Sequence, residues 1–82
     1  MLVLYQLIVR YQSFHGYWGK DSFYLSVSNR EGAIKEAEKI IKNFRGCDGK
    51  KSSVFGVVDL IEVCFLKRYS RIECDELRKK SE

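Results

Sequence analysis

The hydrophobic period of this chain switches from two to 3.6 at residues 28–30, and that switch limits the fold more than any other feature. Val3, Tyr5, Leu7, Val9 and Tyr11 form one face of residues 2–13, with Gln6, Arg10 and Gln12 on the other and Ile8 the exception there. β-Branched and aromatic residues at a spacing of two predict a half-buried strand. The pattern returns at residues 22–28, where Phe23, Leu25 and Val27 oppose Ser22, Tyr24, Ser26 and Ser28. Between the runs lies His15-Gly16-Tyr17-Trp18-Gly19-Lys20-Asp21, whose two glycines admit the positive φ of a reversing loop. Residues 1–29 read as a β-hairpin with one apolar and one polar face.

The next element is a helix. Ser28-Asn29-Arg30-Glu31 has the spacing of a capping box, with Ser28 holding the free amides and Glu31 reaching back. Ala33, Ile34, Ala37, Ile40, Ile41 and Phe44 then fall on one helical stripe, which is the pattern of a helix packed on a sheet. Glu31–Lys35 and Glu38–Lys42 add favourably oriented pairs, and Gly46 supplies a stop, so the helix is expected over 30–45.

Residues 46–53 are a polar connection. Residues 54–66 fit two templates, because Leu60, Ile61, Cys64, Phe65, Tyr69 and Ile72 also sit at helical spacing. The β-branched residues Val54, Val57, Val58, Ile61 and Val63 favour a strand over 54–66. Ser70 and Glu73 repeat the capping-box spacing, but Ile72 and Leu77 are the only apolar anchors of the C-terminal stretch, so 70–82 is expected as a short helix or a tail. The expected fold is a single two-layer α+β domain of ββαβ order. One helix would cover one face of a three-stranded antiparallel sheet, leaving the other face open.

Composition excludes more than it identifies. Eighty-two residues, 45% hydrophobic and 32% charged, make one small globular domain rather than a large enzyme or a repeat array. The net charge of +4 is spread along the chain, with seven acidic residues set among the basic ones. That spread is weaker than the one-sided stripe of a dedicated nucleic-acid binder. Cys47, Cys64 and Cys74 contain no CxxC, and His15 is the only histidine, so neither a structural metal nor a cofactor is expected. The apolar start lacks a basic leader and a cleavage site, and no apolar run approaches the ~20 residues of a membrane span. A reduced, cytoplasmic setting is the expectation.

No catalytic constellation stands out. Gly46-Cys47-Asp48-Gly49-Lys50-Lys51-Ser52 places only two residues between its glycines and comes after a helix, whereas a phosphate loop needs four and precedes one. His15 and the cysteines lack an orienting third group. Asp59 and Glu62, three apart, point to opposite faces of a strand. The expectation is a non-enzymatic module that binds another protein, as adaptor or inhibitor, and self-associates. Phe14, His15, Tyr17, Trp18, Lys20 and Tyr24, at and near the hairpin tip, would form its binding surface, because aromatics supply much contact area at low entropy cost. The alternative is a basic RNA- or DNA-binding protein with phosphate contacts from Lys50, Lys51, Lys67, Arg68 and Arg71.

Overall fold

Strict alternation along the first strand decides how the layers form. In a computed structural model, which describes residues 2–12, 16–45, 54–62 and 65–80, Tyr5, Leu7, Val9 and Tyr11 are buried. They lie in β1 (Val3–Gln12), which pairs antiparallel with β2 (Trp18–Val27) over its whole length. After β2 come α1 (Arg30–Asn43), β3 (Val54–Ile61), β4 (Phe65–Tyr69) and α2 (Arg71–Lys79). The sheet order is β2-β1-β3-β4, antiparallel throughout. The chain is thus two ββα units whose first strands meet at the centre of one sheet.

Both helices pack on the face that carries Leu7 and Val9. Ala33, Ala37 and Ile41 of α1 and Cys74 of α2 join Tyr5, Leu25, Val58, Leu60 and Tyr69 in one buried cluster. Alanines at two of these contacts let α1 approach the sheet closely, while tyrosines from β1 and β4 supply the bulk. Lys67 of β4 lies within 3.9 Å of both Glu38 of α1 and Glu73 of α2, and its ammonium sits 4.4 Å from the centre of the Tyr69 ring. Those charges tie the edge strand to both helices, with each pair contributing about 0–1 kcal/mol at this exposure.

The α+β class, the antiparallel hairpin and the helix over the sheet agree with the sequence. The strand count does not. Among the described residues the sheet has four strands rather than three, because the expected strand 54–66 ends at Ile61 and the chain returns antiparallel as β4. The reversal places Tyr69 opposite Val58, where its ring is buried. Among the described residues there are two helices over the sheet rather than one, because the C-terminal stretch takes the helical of its two expected forms, with Ser70 and Glu73 forming the capping box that starts α2. The first helix is capped differently from the expected Ser28–Glu31 box. Asn29 accepts from the Gly32 amide at 2.8 Å, so Glu31 lies one position too early to reach back. The helix ends at Asn43 and Phe44 caps it, its amide donating to the Ile41 carbonyl.

The hairpin connection is also shorter than the glycine spacing implies. Gln12 pairs with Trp18, and the Gln12 amide donates to the Gly16 carbonyl at 3.0 Å. Gly16, at φ 86°, supplies the left-handed turn position. Gly19 serves a different purpose. It lies in β2 opposite Tyr11, and a Cβ there would stand 2.7 Å from Cζ of that ring. The ring is buried and held by Phe44 at 5.1 Å between centroids, so it has little room to move aside. Gly19→Ala is therefore expected to cost about 1–3 kcal/mol of stability by overpacking, read as a lower thermal midpoint. An unchanged midpoint would show that the ring steps aside.

Candidate functional site

The residues that alternate with the core form the second face of the sheet. β1 contributes Leu4, Gln6, Ile8, Arg10 and Gln12, whose register partners on β2 are Ser26, Tyr24, Ser22, Lys20 and Trp18. β3 adds Asp59 opposite Ile8 and Ile61 opposite Gln6, and Arg68 of β4 stands opposite Asp59. Among the described residues no element packs over this face. Leu4, Trp18 and Tyr24 remain 60%, 61% and 68% exposed on it.

The face has two ends of different chemistry. Leu4 and Tyr24, with half-buried Ile8 and Ile61, make one end apolar. At the other end the register of β1 on β3 shifts between Val9 and Tyr11, which sets Arg10 beside Gly56. A Cβ at Gly56 would lie 3.5 Å from the Trp18 ring and 3.7 Å from Cβ of Arg10, so the Trp18 ring reaches over that glycine beside Arg10. A groove of about 520 Å³ opens here, lined by Arg10, Trp18, Gly19, Lys20, Gly56 and Val57. Arg10 and Lys20 are direct cross-strand partners. Among the described residues neither has a carboxylate within ion-pair distance. Between the two ends, the Arg68 guanidinium donates to Asp59 at 2.9 Å.

These positions divide the expected site residues. Trp18, Lys20 and Tyr24 come together on the open face. Trp18 lies within β2, not in the loop where the sequence placed it. Tyr17 is exposed just before β2. Phe14 and His15 lie outside the described residues, as do Lys50 and Lys51. Lys67 and Arg68 do not form one phosphate-binding surface, because they point to opposite sides of the sheet. Arg71 is exposed at the start of α2. Leu4 and Arg10 were not singled out in the sequence. The signal for Leu4 was an apolar residue out of phase with its strand, and Arg10 needed the hairpin register to meet Lys20.

Cys74 is fully buried, and burial first, then the charges of Asp75 and Glu73, pushes its thiol up to about 12. It is a protonated core residue, not a nucleophile. Cys47 and Cys64 lie outside the described residues. Among the described residues no three His, Cys, Asp or Glu side chains gather as metal ligands, and no helix is long and apolar enough to cross a membrane. Compared with protein families, curated proteins and solved structures, the chain matches none of them.

The buried thiol gives stability an alkaline limit. Unfolded, Cys74 ionises at its ordinary value of 9.0, whereas folded it keeps its proton to about 12. Its contribution is therefore complete below the lower value and lost as pH rises towards the upper one. Denaturant melts between pH about 8 and about 11 should show this decline, and Cys74→Ala should flatten it. An equal decline in the variant would assign it to other groups, such as the Tyr69 hydroxyl, which burial also pushes up.

Proposed function

We propose that this protein is a non-enzymatic binding module that engages another protein through the open sheet face, acting as an adaptor or inhibitor. The observation that carries this reading is the exposure of Leu4, Trp18 and Tyr24 across an ordered β1–β2 surface. Aromatic side chains on rigid strands lose little entropy on docking, and exposed apolar groups gathered on one face favour a protein partner. Among the described residues no strand lies beyond β2, so its outer edge offers a partner strand backbone groups to pair with.

The nucleic-acid alternative has less support. A phosphodiester chain crossing this face would meet Arg10 and Lys20 and then the Asp59 carboxylate, which already neutralises Arg68. Lys67 is committed to Glu38 and Glu73 on the other side. A tracking groove for single strands needs a run of unopposed cations, and among the described residues this face has two.

The test compares immobilised wild-type protein with Tyr24→Ser and Trp18→Ala, with light scattering of each to measure self-association. Both side chains are exposed, so the variants should keep their melting curves to within about 1 kcal/mol. Each should lose the protein that the wild type captures, or the wild type's self-association where the partner is a second copy. Equal capture by all three proteins would rule out the open face, and unfolding of Trp18→Ala would make Trp18 a structural residue instead.

A further inference from the structure

The groove between Arg10 and Lys20 has an energetic feature that packing does not explain. Like charges directly opposite each other on neighbouring strands oppose sheet formation. Here the opposition stands among the described residues with no carboxylate to relieve it, although Asp59 on the same face is spent on Arg68. Trp18 lines the same groove as both cations, and Gly56 leaves the floor beneath its ring bare. An anion bound between Arg10 and Lys20 would convert the repulsion into two attractions. An apolar group beside that anion would meet the indole.

We propose that this groove is the acidic subsite of the open face: it takes a carboxylate-bearing segment of the partner protein, with an adjoining apolar side chain against Trp18. The inference rests on the reading that the open face engages a protein. Charge complementarity selects the occupant. Two cations suit one or two carboxylates. The neutral and apolar stretch from Ile8 to Leu4 and Tyr24 suits the rest of a protein surface, and Asp59 disfavours a continuing run of phosphates. The arrangement gives the partner an orientation, with its acidic end towards Trp18 and its apolar end towards Leu4. Charges placed this way contribute register and association rate more than affinity.

Trp18 is the only tryptophan in the chain, so its emission reports on this groove alone. The probes are a peptide of alternating Glu and Leu, the same peptide with Lys for Glu, and oligothymidine, each titrated into the full chain. The Glu peptide should shift Trp18 emission saturably, more weakly as salt rises, and the Lys peptide should not. Lys20→Glu should weaken the Glu peptide about tenfold or more. Lys20→Gln should weaken it too, yet raise the thermal midpoint by removing the like-charge pair, a split that a purely structural lysine would not produce. No response to the Glu peptide, equal response to both peptides, or a stronger response to oligothymidine overturns the proposal. The capture assay separates the two readings. If Lys20→Glu keeps the protein that Tyr24→Ser loses, the acidic subsite falls and the open face stands. If Tyr24→Ser and Trp18→Ala keep it as well, the open-face reading falls and takes the subsite with it.

Discussion

The pairing of β1 with β3 is the constraint on which the rest of the structure depends. Leu7 faces Leu60 and Val9 faces Val58 across it, and all four side chains are fully buried. The partners are about fifty residues apart in sequence, so closing the sheet costs chain entropy before any local contact repays it. Once made, the pair joins the β1–β2 hairpin to the β3–β4 hairpin in one sheet, the floor on which both helices rest. The register shift within this pair also places Arg10 beside Gly56. One irregularity near the centre of the sheet thus shapes the groove on its open side, a common effect of a bulge.

The layers were legible in the sequence because each rests on a local period. Tyr5, Leu7, Val9 and Tyr11 marked the core face, and Ala33, Ala37, Ile41 and Phe44 marked the face of α1 that meets it. What escaped depended on contacts between distant residues. Between Ile61 and Phe65 the sequence holds none of the glycine, asparagine or proline that usually announces a turn. Its apolar run satisfied both periods, and the burial of Tyr69 against Val58 decided between them. The cap moved by one residue for a similar reason. Ser28 and Asn29 are both good caps, and it is Asn29 whose side chain accepts from the Gly32 amide.

The candidate site was legible in part. Trp18, Lys20 and Tyr24 were identifiable because aromatics near a hairpin tip stand out in any register. Their placement on one face, and the meeting of Lys20 with Arg10, required β2 to begin at Trp18. Two glycines flanking Tyr17 and Trp18 suggested a longer loop, whereas Gly19 is small because the Tyr11 ring occupies the place of its side chain. The basic residues misled for the opposite reason. Lys67 and Arg68 are adjacent in sequence, and adjacency on a strand sends side chains to opposite sides.

The repetition of ββα has a consequence for how copies of the chain can combine. Neither unit has a complete sheet alone, and each finds its missing neighbour in the other's first strand. The same antiparallel contact can be made between molecules: β3, β4 and α2 of one copy can dock on β1, β2 and α1 of another. Such an exchanged dimer would keep the contacts by which the two units share one sheet and one core. It would carry two open faces, each with its own Trp18 groove, on one particle. A partner that displays repeated docking segments would then be held by both faces at once, at an effective concentration set by their separation, with no new contact in either groove.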